Sequence, residues 1–579
     1  MLYQLMQAPK RLRDWLFSDN TMLEANTENG IYPKRYFLVC IAIYSLFLVI
    51  RQPSFSLGGE MWAEMATNYY VNAGSPSLFV NFFSTDAGYI PLPQRIIAYV
   101  GAALKIPDIY IPYYYTWSAI LITACMVGAF CLAPFRVLVR SDCLRFTCSI
   151  AILMVCDFET RTFINFTYFA AFFVAIVTAL ALVQKDRQVP WWTWAIPVLM
   201  VSKPAVLSVL PAMILVSLIG KSRFKLITIS AVTVCTIQLI NIYTNHSDSP
   251  FNPTNHFSTF EKITASVKYF IGFLGAFSTG KSIKMEATKY LWIGTIVLLG
   301  CLIVITKKRT HASALIIVGL SVLFSNVLLN AFALSDSWNI TMNMLIGVPL
   351  YRHIIVGYFA VVLIILGLIE TYIHHAKLNN HRLSRLPSPL IFLLWFLLSG
   401  WILYAWIISK SPASPVLYNS QWQENAATIK TSESICIPID PFGWMYTKNC
   451  SPINPEMNWA KPLDYRPLQK IDNIFSISLD LPSSQEHTNL ISMAVLVRPY
   501  VPRDAVRGEL ELVMKEGRTE SVYADRQLDK RGGLIMFSLH EKIHFSDIER
   551  ITLKFKAQAD IGFVSGDPKN TPAVIWMGN

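Results

Sequence analysis

The sequence predicts an α-helical polytopic membrane protein with about eleven spans, followed by a soluble, mostly-β domain. Three observations predict it. The 579 residues are 53% hydrophobic and only 15% charged. The apolar residues are gathered into long blocks, as in a chain that crosses a bilayer repeatedly. Beyond about residue 410 the blocks stop, and short runs that alternate apolar and polar take over.

In chain order, residues 1–35 are polar and basic and predict a cytoplasmic N-terminal segment without a cleavable signal. A membrane domain is expected over 36–409, with apolar blocks at 36–50, 115–138, 146–158, 166–184, 192–203, 204–219, 226–243, 289–306, 312–334, 351–373 and 389–409. Several are shorter than the roughly 20 residues of a straight span, and the 192–219 pair has the form of a re-entrant hairpin. Basic clusters follow alternate blocks: Arg136, Arg140 and Arg145; Lys185 and Arg187; Lys221, Arg223 and Lys225; Lys307, Lys308 and Arg309; His374 to Arg385. With Lys10, Arg11, Arg13, Lys34 and Arg35 before the first block, they fall on one side, which the positive-inside rule makes cytoplasmic. Much of the net charge of +12 serves this purpose and does not call for nucleic acid. The assignment requires that 92–105, with Pro91 and Pro93 at its start, lies at the interface as a helix. The loops 51–114, 244–288 and 335–350 and the tail then share the outer side.

The tail, 410–579, shows Phe475, Ile477, Leu479 and Leu481, then Leu510, Leu512 and Met514, then Ile551, Leu553 and Phe555, all at period two. Turn residues at Glu516-Gly517 and Arg531-Gly532-Gly533 separate strands, so a small antiparallel sandwich is expected. Of ten cysteines, eight lie in or beside apolar blocks as small hydrophobes. Cys436 and Cys450 stand in the tail and form a candidate disulfide, two free thiols being the other reading.

The stretch from Gly58 to Gln94 is rich in acids where acids are few. Glu60 and Glu64 would share one face of a helix, either as a solvated turn or as a site. Other costly polar residues fall on the same outer side: Asp157, Glu159, Arg161 and Asn165; Lys203 in Ser-Lys-Pro; Asp336, Asn339 and Asn343; Arg352 and His353. Each alone reads as a loop or snorkelling residue. Together they predict an outer cavity lined by Glu159, Asn165 and His353 among others.

That chemistry suits a polyprenyl-phosphate sugar, whose tail lies in lipid and whose phosphate lies at the headgroups. Lys203, Arg352 and Arg95 could hold the phosphate, Arg by its planar fork and Lys as a point charge. Glu60 could take the proton of an acceptor hydroxyl. No Gly-rich phosphate loop for a soluble nucleotide is present. His246, Asp248 and His256 match no metal pattern, so no metal site is assigned.

Gly59-Glu60-Met61-Trp62-Ala63-Glu64-Met65-Ala66, Asn72-Ala73-Gly74-Ser75 and Tyr89-Ile90-Pro91-Leu92-Pro93 resemble the first outer loop of polytopic GT-C class glycosyltransferases. These include aminoarabinose and mannosyl transferases and serotype-converting O-antigen glucosyltransferases. Ser202-Lys203-Pro204 resembles the Lys-Gly-Pro segment of the class, and Tyr351-Arg352-His353 its Arg-Tyr element. Glu159 through Tyr168 is similar to an acid-then-Asn segment of bacterial members. The elements keep their order over about 36–409. The chain departs from the aminoarabinose type in having Asp86-Ala87-Gly88 where a lysine commonly stands.

The resemblance implies a GT-C-like membrane domain with Glu60 as base, Glu64 or Asp86 as assisting acid, and Lys203 and Arg352 on the phosphate. It implies an inverting transfer of a hexose such as glucose from an undecaprenyl-phosphate carrier to O-antigen or another lipopolysaccharide part. The location implied is the bacterial inner membrane, with the tail in the periplasm. No cofactor is expected, although a divalent metal stays compatible. The partners would be the lipid-linked sugar, the envelope glycan, membrane lipids, and an upstream polyprenyl-phosphate sugar synthase and flippase. Two rival functions are a flippase for the lipid-linked sugar and a membrane anchor for a glycan-binding domain. The first predicts internal repeats, which the sequence lacks.

Overall fold

The structure is a computed structural model. It describes residues 31–578 except 87, 185–188, 220–223, 245–257, 283–285, 309, 334–353, 379–386, 411–421, 441–443, 453–464, 468–469, 472–473, 480, 482–488, 500–503, 529–532, 558–559 and 565–573. The chain is mostly helical up to residue 410 and β-rich after 435. It divides into two units. One comprises residues 1–53, 72–100 and 115–413; the other comprises 54–71, 101–114 and 414–579.

In the first unit, long apolar helices pack side by side. Among the described residues six are long and apolar enough to cross a membrane: Asp108–Cys131, Phe166–Val183, Phe224–Thr244, Thr288–Lys308, Ser313–Asn330 and Ile355–Ala376. The pair Ser388–Leu398 and Trp401–Ile407, bent by 62°, adds a seventh if counted as one span. Among the described residues, helices of spanning length are thus fewer than the eleven apolar blocks. Block 146–158 lies in a helix of 14 residues, Asp142–Val155. Blocks 192–203 and 204–219 are cut into short pieces around Ser202-Lys203-Pro204, because proline cannot continue a helix ladder. The Ile31–Arg51 helix carries Lys34, Arg35 and Arg51 at its ends. Leu92–Ala103 has 12 residues, too short to cross a bilayer alone.

One helix corrects the sequence reading. Residues 244–288, expected as a loop, contain the 21-residue helix Thr259–Thr279. Ser258 and Glu261 form a reciprocal capping box at its start. Its end packs against Ala287–Ile303 through two glycines. A Cβ at Gly275 would collide with the carbonyl of Tyr290, and one at Gly294 with the carbonyl of Ile271. The missing side chains let two backbones touch, the usual device of helix pairs in lipid.

In the second unit the described residues form thirteen strands in three sheets. They are β1 (Ile435–Ile439), β2 (Trp444–Lys448), β3 (Ser451–Pro452), β4 (Tyr465–Pro467), β5 (Lys470–Ile471), β6 (Ile474–Leu479), β7 (Asn489–Pro499), β8 (Asp504–Met514), β9 (Thr519–Leu528), β10 (Gly533–His544), β11 (Ile548–Lys556), β12 (Ile561–Val564) and β13 (Val574–Gly578). β1 and β2 form a hairpin, and Cys436 and Cys450 join in a disulfide beside it, with Cα atoms 5.8 Å apart. One sheet runs β3-β13-β7-β12-β4 with β10 also on β7; the other runs β5-β6-β11-β8-β9.

The three period-two runs become neighbours in that second sheet. Ile551 pairs with Leu479 and Leu512, and Leu553 with Ile477 and Leu510. Their apolar faces meet Met493, Val495, Ile535, Phe537 and Trp576 of the first sheet in one core. Gly508 on β8 lets the ring of Phe537 approach across the two layers. Gly517, at φ +84°, turns β8 into β9 at the expected Glu516-Gly517 turn.

Candidate functional site

Among the described residues, the polar side chains singled out by sequence fall into two groups, one in each unit. The cluster of the first, helical unit is built on the segment 86–95. Asp86 and Tyr89 bond each other's backbones in a tight turn, with Gly88 at φ +82°. The Tyr89 hydroxyl lies 3.5 Å from a carboxylate oxygen of Asp86. Lys203 donates to that same hydroxyl, and its ammonium sits 4.8 Å from the Tyr89 ring centroid. Asp86, Tyr89 and Lys203 are all buried. Lys203 thus enters through a phenol.

The turn is held from the side by helix Phe224–Thr244. The Gln238 amide accepts from the Ile90 N–H at 3.1 Å and donates to the carbonyls of Ile90 and Ser202 at 3.2 and 3.0 Å. Asn241, three residues on, donates to Gly88 at 3.1 Å. Leu92 N–H reaches the Val201 carbonyl at 2.9 Å, so the 86–92 and 201–203 segments are bonded directly as well. On the next helix Arg95 and Gln94 are buried, and Gln94 donates to the Ile164 carbonyl at 2.9 Å and to Thr167 at 3.3 Å. Asn165 is buried and donates to the Glu159 carbonyl at 3.0 Å, whereas the Glu159 side chain is exposed. Arg161 is buried too, and reaches Gln52 at 3.2 Å and the Met154 carbonyl at 3.0 Å.

The second cluster surrounds Glu60. Glu60 and Glu64 do not share a helical face. Gly59 at φ +68° and Ala63 at φ +46° break the backbone between them, and Trp62 instead forms a parallel bridge to Asp440 at the end of β1. Glu64 precedes a π-helical turn, Met65–Tyr70. Gly59 is required twice over, since a Cβ there would collide with the Tyr113 ring.

Glu60 lies at the centre of this corner. It accepts the backbone N–H of Trp422 at 3.1 Å. Gln423 bonds the carbonyls of Gly59 and, at 2.9 Å, Ile109. The fully buried Trp422 indole donates to the Asp108 carbonyl at 2.9 Å. Asp440, also buried, bonds Met61 and Ala63 through its backbone. Desolvation pushes the Glu60 carboxyl up from 4.5 to about 8, with the nearby Asp440 charge adding to the rise. The N–H groups of Trp422 and Gln423 and the charge of Arg526 pull the other way. Such a carboxyl can exchange a proton near neutral pH, which a general base needs.

Arg352 and His353 lie outside the described residues, as do Asp336, Asn339, Asn343, His246, Asp248 and His256. Among the described residues no group of three or more His, Cys, Asp or Glu side chains is placed to hold a metal. Sequence reasoning missed Gln238, Asn241, Trp422, Asp440 and Arg526. A signal existed for Gln238 and Asn241, two amides on one face of an otherwise apolar helix. For the last three no local pattern existed.

The fold and the two clusters define a chain with membrane-type apolar helices and a β-rich C-terminal domain, with buried acids and cations in defined bonds. Comparison of the chain with protein-family models, curated proteins and solved structures finds no match.

Proposed function

We propose that the chain is an inverting, GT-C-like membrane glycosyltransferase. It moves a hexose such as glucose from undecaprenyl phosphate to an envelope glycan such as O-antigen, on the periplasmic face of a bacterial inner membrane. The observation that carries the reading is Glu60, a carboxyl oriented by a backbone N–H and brought to about 8 in the corner 58–63. In the reaction, Glu60 takes the proton of the acceptor hydroxyl. The hydroxyl oxygen bonds the anomeric carbon as the bond from that carbon to the phosphate oxygen breaks. A single displacement inverts the centre, and the phosphate leaves with both electrons. Cations must offset the charge of the leaving phosphate, the part that the sequence resemblance gives to Lys203 and Arg352.

An apolar cavity of about 200 Å³ in the membrane unit, lined by Leu182, Ala212, Leu215, Val216, Ile317 and Val318, has the chemistry to accept part of a prenyl chain. The test is transfer from a short-chain polyprenyl-phosphate hexose to lipopolysaccharide by the detergent-purified protein. Glu60→Gln is expected to lower kcat by about 10²–10⁴-fold, the worth of a positioned base. Unchanged transfer in a correctly inserted Glu60→Gln variant would remove Glu60 from the mechanism.

A further inference from the structure

Helix Phe224–Thr244 carries a single glutamine, and it is fully buried. Its neighbours Ile237, Leu239 and Ile240 are exposed, so the helix turns an apolar face outward and Gln238 inward. A buried amide on such a helix is costly unless its polar atoms are bonded. Here all of them are. The oxygen takes the Ile90 N–H at 3.1 Å, and the two N–H groups go to the carbonyls of Ile90 at 3.2 Å and Ser202 at 3.0 Å.

The places gripped are informative. Ile90 follows Tyr89, and Ser202 precedes Lys203. One side chain therefore holds the backbone beside both partners of the buried Lys203–Tyr89 contact. Lys203 is extended, at φ −58° and ψ 134°, and Pro204 after it has no N–H to bond. The segment is thus tied to the Tyr89 turn from its N-terminal side, by the Gln238 bond to Ser202 and by the Leu92 bond to Val201 at 2.9 Å.

We propose that Gln238 is a positioning residue for Lys203: one amide locks the Lys203 segment to the Tyr89 turn and so sets where the ammonium stands. What that position serves, contact with a donor phosphate, rests on the reading of the chain as a glycosyltransferase.

The test uses the full chain in detergent with N-acetoxysuccinimide, which acylates amines. Mass spectrometry of the peptide that holds Lys203 gives its labelling rate without any need for transfer. In wild type the buried amine should react slowly. Gln238→Met keeps the length and removes the amide, and labelling should speed up by about tenfold or more, the worth of one to two net hydrogen bonds. Gln238→Asn keeps an amide too short to reach both segments and should act in the same direction. Gly294→Ala, crowded against the Ile271 carbonyl elsewhere in the same unit, controls for general loosening and should label at the wild-type rate. Binding of a short-chain prenyl phosphate is the second readout. Gln238→Met should weaken it, and should add nothing to the loss in Lys203→Met, because both act through one ammonium.

An unmoved labelling rate in a folded Gln238→Met protein overturns the proposal, and so does an equal rise in Gly294→Ala. If Gln238→Met does not fold, the rate in Gln238→Asn decides in its place. Binding losses from Gln238 and Lys203 that simply add overturn it too. Faster labelling with prenyl phosphate binding unchanged upholds the lock and refutes Lys203 as a phosphate cation alone.

Discussion

Glu60 shows how far a single residue could be read. Its type and place, an acid in the first loop after an apolar block, singled it out. Its environment did not follow, because the Trp422 N–H that orients it lies 362 residues away in sequence. Helical spacing linked it to Glu64, and two positive-φ residues, Gly59 and Ala63, undo that link. The raised carboxyl also has a thermodynamic signature. Between 4.5 and about 8 the folded protein keeps a proton that the unfolded chain releases. Unfolding free energy must then fall as pH rises through that window and level off above it. Glu60→Gln removes the titration, so the stability of wild type relative to this variant should decline with pH across the window. Thermal unfolding of both proteins at a series of pH values checks this, and parallel curves would contradict it.

Among the elements, legibility followed the strength of periodicity. The alternating runs at 475–481, 510–514 and 551–555 were plain in the sequence and became β6, β8 and β11, adjacent in one sheet. β7 joins β10, β12 and β13, partners that no local pattern could name. Helix Thr259–Thr279 was hidden because its first turns carry Glu261, Lys262 and Lys268 and because its apolar end is rich in Gly and Ala. What places it is a backbone contact with Ala287–Ile303. Gly294→Ala should destabilise the protein by about 1–3 kcal/mol, as overpacking does. Gly300→Ala on the same helix meets nothing within 4 Å and should be neutral or slightly stabilising. Melting temperatures of the two variants in detergent decide this, and equal shifts would refute the glycine crossing.

For the whole molecule, a helical chain with apolar helices and a β-rich tail was legible from composition. The grouping of residues was not. The sequence kept 51–114 with the membrane domain, whereas contacts gather 54–71 and 101–114 with 414–579. Those two pieces supply Glu60, Asp108 and Tyr113, and Asp108 alone accepts from Tyr70 at 2.9 Å and pairs with Lys430 at 3.1 Å. Residues 414–579 expressed alone should therefore leave Trp422 exposed. With Trp444, Trp459 and Trp576 replaced by Phe in the isolated tail, the remaining Trp422 emission should be that of an exposed indole, and a buried emission would show that it needs neither piece.

This interrupted grouping also sets a schedule. The ribosome makes residues 54–114 first and reaches residue 414 some 300 residues later. At about 5–20 residues per second, roughly 15–60 s pass before the Glu60 corner can close. Until residue 422 is made, Glu60 lacks the Trp422 N–H that it accepts in the finished chain.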